Sequence, residues 1–154
     1  MEPFNNDRIA IIKTGGERTV TRLSLRFFGV DLDPEEITRC LTVEPTRFGR
    51  RGDVVRNIHT GHSLRDQGFW VHDVEYNVNA PDRLVRSFLD SLPDDLAVWR
   101  RLTESNDADL LCSSGWRTDH GTVWLSPEAL GAIAERGLYF GEGWFRDGDP
   151  EPVT

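Results

Sequence analysis

Cysteine is scarce in this 154-residue chain, and long apolar runs are missing altogether. Cys40 and Cys112 are too few for a disulfide-rich scaffold or for a zinc site built from cysteines. No apolar run approaches the roughly 20 residues that span a bilayer, so we expect no membrane segment. The opening residues are acidic and polar, unlike a signal peptide, and we expect a cytoplasmic protein.

Basic residues are outnumbered, and lysine is almost absent. The chain has 26 acidic and 18 basic residues, which gives a formal charge of -8, and Lys13 is its only lysine. Phosphate attraction needs clustered positive charge, so this balance argues against binding to nucleic acids or anionic membranes. It favours instead a protein partner with a basic surface.

Motifs of the common enzyme classes are also missing from the sequence. There is no Gly-x-Ser-x-Gly elbow, and Gly15 and Gly16 lack the following Lys and Ser or Thr of a phosphate loop. His59 and His62 lie in an irregular segment and fall short of the three or four rigid ligands of a zinc site. We therefore expect no cofactor, no metal and no catalytic residues.

Strands are indicated by stretches in which apolar and polar residues alternate. The two clearest run over 19–28 and 69–78, each with one apolar and one polar face, which predicts a sheet covered on one side only. Shorter strands are predicted at 8–13, 109–113, 122–125 and 138–140. Turns are predicted at the glycine pair 15–16 and at 118–121.

Helices are indicated by capping residues and apolar spacing. Asp33 is the predicted cap of a short helix with Pro34 at its first position, and Ser126 caps a later helix that ends at Gly137. Helical spacing also predicts helices after Asn79 and from Leu96. The order predicts one α+β domain over residues 1–146, followed by an acidic flexible tail at 147–154. Its sheet would be mostly antiparallel with helices packed on one face, which is compatible with a ferredoxin-like arrangement.

Residues 44–68 follow no period, and we predict a long structured loop there, with a short edge strand at 53–56. Arginine forks beside glycine amides suit an anion or a carboxylate, and an aromatic wall could complete a cleft. The candidate ligand-binding residues are Arg47, Arg50, Arg51, Asp53, Trp70 and His72. Two plainer interpretations stay open: the arginines pair with the protein's own acids, or His72 is a core or boundary histidine with a backbone or hydroxyl partner rather than a base.

Several segments together resemble the bacterial domain-of-unknown-function family 4279. They are Gly29 to Thr38, Leu41 to Thr46, Arg51 to Asp53, Gly68 to Trp70, Leu125 to Glu128, and Gly137 to Leu138. The resemblance covers roughly residues 19–145 and implies a small α+β domain. It implies no activity, cofactor or catalytic residue.

Two functional hypotheses follow from the sequence. The favoured one is a non-enzymatic binding or interaction module, by analogy with small acidic immunity proteins that hold a basic toxin. The alternative is a protein that binds an anionic small molecule, or a minor hydrolase, using the arginine-rich loop and Trp70.

Overall fold

The computed structural model describes residues 18–59, 61–78, 80–116 and 123–146. Its strands are β1 Arg18–Gly29, β2 Arg47–Gly49, β3 Val54–Asn57, β4 Gly61–Leu64, β5 Gly68–Tyr76, β6 Asp107–Trp116 and β7 Tyr139–Arg146. Its helices are α1 Pro34–Leu41, α2 Pro81–Asp90, α3 Leu96–Ser105 and α4 Pro127–Glu135. The strand predicted at 8–13, both predicted turns and the predicted tail lie outside the described residues.

Five of the strands form one sheet in the order β2-β5-β1-β6-β7. β1 pairs antiparallel with β5 and β6, and β2 pairs antiparallel with β5. β6 and β7 are parallel and are joined through α4. The predicted α+β class with a mostly antiparallel sheet is confirmed, and the ferredoxin-like arrangement stays a prediction.

The helices cover one face of this sheet, and we call it the covered face. Leu23, Leu25 and Phe27 of β1 point to it and are fully buried. Residues from all four helices belong to the same hydrophobic core: Ile37, Leu41, Leu84, Val85, Phe88, Leu89, Trp99, Leu102, Ala129 and Ile133. The intervening residues of β1, including Arg22 and Arg26, point to the other side, which we call the open face. Period-two alternation therefore predicted the sidedness of the sheet correctly.

Capping chemistry sets the start of α1. The Asp33 side chain accepts hydrogen bonds from the backbone N–H groups of Glu35, at 3.0 Å, and Glu36, at 3.4 Å, and Pro34 follows the cap. Both features were predicted, because a cap depends only on neighbouring residues. The helix ends at Leu41, and its C-cap Thr42 adopts the left-handed conformation with φ of 57°.

The segment 44–68 is more regular than predicted. β2 joins the edge of the main sheet, and β3 and β4 form a separate two-stranded hairpin that includes the predicted strand at 53–56. Every residue of β4 is exposed, so burial imposes no alternation that the sequence could reveal.

The strand predicted at 122–125 is wrong for its described part. Residues 123–125 form no strand and lead directly into the cap of α4. The Ser126 N–H donates to the Asp82 carboxylate at 2.7 Å, and the Ser126 hydroxyl accepts from the Ala129 N–H at 3.2 Å. These bonds hold the segment against α2 and direct it into the helix.

Candidate functional site

Arg47 lies on β2 with its side chain on the open face, opposite Val71 of β5. Its Nη2 is 3.6 Å from Oδ2 of Asp73. The Arg47 Nε and the Asp73 Oδ1 are both buried and have no hydrogen-bond partner within the described residues. Arg47 is therefore paired, although neither side chain satisfies all of its polar atoms.

Arg50 and Arg51 follow β2 and turn towards the start of α1. Arg50 Nη2 donates to Glu35 Oε1, and Arg51 Nη2 is 3.9 Å from Oδ1 of Asp31. The hydrogen bond with Arg50 lowers the pKa of Glu35 and raises the pKa of Arg50 itself. Both guanidinium groups thus already face carboxylates of the protein's own surface.

Asp53 closes the turn that follows β2. Its Oδ2 accepts a hydrogen bond from the Arg50 N–H at 2.7 Å, and its own N–H donates to the Arg50 carbonyl at 3.1 Å. Between them Gly52 has φ of 89°, a conformation that favours glycine. Asp53 therefore fixes the backbone that presents Arg50 and Arg51.

Trp70 and His72 lie on the covered face. Trp70 is fully buried, contacts Phe27 edge-to-face at 5.9 Å, and donates from Nε1 to the Thr38 hydroxyl at 3.0 Å. His72 is half-buried, and its Nδ1–H donates to the Glu44 carbonyl at 2.9 Å. Its ring stacks on Phe88 at 5.9 Å between ring centres. Within the described residues no carboxylate lies within ion-pair distance of His72, and its partner is a backbone carbonyl, one of the two kinds of partner expected for a core or boundary histidine.

The six predicted residues are therefore distributed over three places. Arg47 occupies the open face, the turn residues lie beyond the end of β2, and Trp70 and His72 lie on the covered face. Since alternate residues of a strand point to opposite faces, the sheet itself separates Arg47 from the two rings. The role of these residues in ligand binding stays a prediction.

A groove that the sequence did not reveal runs between α1 and β2. This α1–β2 groove has a volume of about 340 Å³ and is lined by Pro34, Glu35, Thr38, Arg39, Glu44, Pro45 and Phe48. Phe48 pairs with Trp70 in the register and points to the same side of the sheet, yet it is 52% exposed, because it lies at the outer edge of the sheet. An exposed aromatic ring therefore forms one wall of the groove.

The polar rim of the α1–β2 groove contains two carboxylates with different surroundings. Glu35 bonds to Arg50, whose guanidinium carbon lies 6.0 Å from the centre of the Phe48 ring. Glu44 has no ion pair within the described residues, and only its backbone carbonyl has a partner, the ring of His72. The groove thus offers an apolar wall beside a carboxylate that is available to a cation. Its only sequence signal is Phe48, a lone aromatic between arginines in a polar segment.

No group of three or more His, Cys, Asp or Glu side chains within the described residues could hold a metal ion. His62 lies on exposed β4, opposite Arg56. None of the four described helices is long and apolar enough to cross a membrane.

Comparison with known proteins gives one result. The family described as a domain of unknown function (DUF4279) matches residues 18–141, which include all of the first six strands and all four helices. No curated protein and no solved structure matches the chain.

Proposed function

This chain belongs to the DUF4279 family, a domain of unknown function, and we propose that it is a non-enzymatic module that binds a basic segment of a partner protein. The α1–β2 groove is the proposed binding site. The observation that carries the proposal is the exposed ring of Phe48 beside the unpaired carboxylate of Glu44 in one groove.

The chemistry of the groove fits an arginine or lysine side chain. Such a side chain has an apolar stem that packs on rings and a cationic end that seeks a carboxylate. The stem would lie against Phe48 and Pro45, and the cation would contact Glu44. A cation near an aromatic face gains about 0.5–1 kcal/mol at an exposed site, in addition to the ion pair.

The charge of the whole chain supports the same class of partner. A formal charge of -8 attracts a basic protein from a distance and raises the rate of encounter. An immunity-type role, in which the module holds a basic toxin in a one-to-one complex, is one form that this binding would take. Because the attraction is electrostatic, affinity should fall as salt is added.

The anion-binding alternative has less support in the contacts. An anion at the arginine-rich turn would have to displace Glu35 from Arg50 and Asp31 from Arg51. The neighbouring carboxylates would also repel it.

A short peptide tests the proposal directly. We would titrate the labelled protein with acetyl-Gly-Arg-Gly amide, and with the same peptide carrying neutral citrulline, and follow backbone amide shifts by NMR. The arginine peptide should shift residues around Phe48 and Glu44, and citrulline should bind far more weakly. Phe48→Ser and Glu44→Gln should each weaken binding about threefold to tenfold.

The matched controls are Tyr139→Ser, which removes another exposed aromatic ring, and Glu142→Gln, which removes another exposed carboxylate. Both lie on β7, at the far edge of the sheet from β2, and should leave the affinity unchanged. Equal binding of the two peptides, or shifts centred away from the groove, would exclude this site.

A further inference from the structure

On the opposite side of the sheet, we propose a second site, which binds a free α-amino acid with an apolar side chain. It lies where the base of the β3–β4 hairpin meets the open face. The cavity has a volume of about 210 Å³ and is lined by Phe28, Arg65, Asp66, Gln67, Phe69 and Val71.

The floor of this cavity is apolar. Phe28 of β1 and Phe69 of β5 are register partners, so both side chains lie on the open face. Val71, two residues further along β5, is almost fully buried although none of the described helices covers this face. A volume of about 210 Å³ is smaller than the roughly 300–1,000 Å³ of pockets for drug-sized ligands, so it suits a small ligand rather than a protein segment.

Arg65 supplies a cation in a fixed orientation. Its guanidinium carbon lies 4.3 Å from the centre of the Phe69 ring, so the group is held close to that ring. Within the described residues no carboxylate lies within ion-pair distance of this guanidinium, in contrast to Arg22, Arg26 and Arg50. A stacked guanidinium with free N–H donors is suited to grip a carboxylate with two parallel hydrogen bonds.

The backbone holds Arg65 in this place. Its N–H donates to the Asp53 carbonyl at 2.9 Å, and its carbonyl accepts from the Gly52 N–H at 2.8 Å. Gly49 leaves room for the stack, because a Cβ there would lie 2.4 Å from the Phe69 ring and 3.0 Å from the Arg65 Nε. The site is therefore formed in advance of any ligand.

Asp66 makes the site specific for a zwitterion. It lines the same cavity next to Arg65, and it too has no ion pair within the described residues. An apolar carboxylic acid without an amine would pair with Arg65 and leave the Asp66 carboxylate without a cation. An apolar amine without a carboxylate would pair with Asp66 and leave Arg65 without an anion. An α-amino acid presents both charges on one carbon, with its side chain free to lie on Phe28 and Val71.

Calorimetric titration with three related compounds tests this inference. L-phenylalanine should bind, whereas 3-phenylpropionate, which lacks the amine, and phenethylamine, which lacks the carboxylate, should each bind about tenfold more weakly or worse. Arg65→Gln should reduce the affinity for L-phenylalanine by about tenfold. Arg56→Gln, a matched change on the exposed hairpin, should have no effect.

Asp66→Asn distinguishes recognition from a general loss of structure. Without the carboxylate, L-phenylalanine should bind more weakly and 3-phenylpropionate more tightly, so the preference should reverse. Phe48→Ser should leave amino-acid binding unchanged, because the α1–β2 groove is on the other side of the sheet. The inference is overturned if L-phenylalanine and L-leucine both fail to bind at about 1 mM, or if Asp66→Asn weakens all compounds equally.

Discussion

The two faces of the five-stranded sheet are made by alternate residues of the same strands, and they are stabilised in different ways. Leu110 and Leu111 are neighbours on β6 and show the contrast directly. Leu110 is fully buried against the helices, whereas Leu111 faces the open side and is half-buried. The Leu111 side chain fits there because Gly141 on β7 has no side chain; a Cβ at Gly141 would lie 3.2 Å from it.

Charge is distributed unevenly as well. Arg26 and Asp109 are opposite each other on the open face and form two hydrogen bonds, each 2.7 Å long. Their side chains are only 21% and 25% exposed, and the hydrogen bonds that Arg26 donates to Asp109 raise the pKa of Arg26. The open face therefore stays charged by pairing its charges, while the fully buried strand residues of the covered face are uncharged. The contrast shows that the presence of a helix layer, rather than the strand sequence alone, determines whether the residues of a sheet face must be apolar or can be charged.

The largest expected effect compares the two leucines. Leu110→Ala should lower the free energy of unfolding by about 3 kcal/mol, because it leaves a cavity in the core. Leu111→Ala should cost about 1 kcal/mol, since solvent already reaches that side chain. Urea unfolding followed by circular dichroism measures both values. Equal losses would show that the open face is covered as completely as the other.

A smaller effect is expected from the ion pairs of the open face. Asp109→Asn should cost about 1–2 kcal/mol, because it weakens two charged hydrogen bonds that are largely shielded from water. Glu75→Gln removes the carboxylate that pairs with Arg22 at 2.9 Å, but Glu75 is 51% exposed and the change should cost less than about 1 kcal/mol. The same unfolding experiment compares the two. A larger loss at Glu75 would mean that burial does not set the strength of these pairs.

The fold was predictable where local chemistry or burial leaves a trace in the sequence. Asp33 and Pro34 define the start of α1 through contacts with adjacent residues. β1 and β5 were recognised because each has one buried and one charged face. Of the β3–β4 hairpin, the strand predicted at 53–56 corresponds to β3, whereas β4 was missed because all of its residues are exposed and without burial no period is imposed.

The sites were far less predictable than the fold. The sequence drew attention to Arg50 and Arg51, yet their acidic partners precede them by 15 and 20 positions and are brought close only by the turn after α1. The exposure of Phe48 depends on β2 lying at the edge of the sheet. The stacking of Arg65 on Phe69 depends on how the hairpin closes. Such placements follow from tertiary contacts, which a single sequence does not display.

The smallest expected effect concerns the solvent-exposed pair between Arg50 and Glu35, which extends the comparison to a surface outside the sheet. Arg50 lowers the pKa of Glu35 through their hydrogen bond, so Arg50→Gln should raise that pKa towards the ordinary value of about 4.3. A carboxyl group with a lowered pKa in the folded state stabilises the protein above its unfolded pKa. That contribution is lost as the pH falls through the folded pKa.

Carboxyl ¹³C chemical shifts measured across an acid titration report the pKa of Glu35. Arg51→Gln is the control, because Arg51 contacts Asp31 and not Glu35, and it should leave the titration of Glu35 in place. If Glu35 has the same pKa in the wild type and in Arg50→Gln, the Arg50–Glu35 ion pair does not stabilise the folded protein. Only partly buried pairs such as Arg26–Asp109 would then contribute to stability.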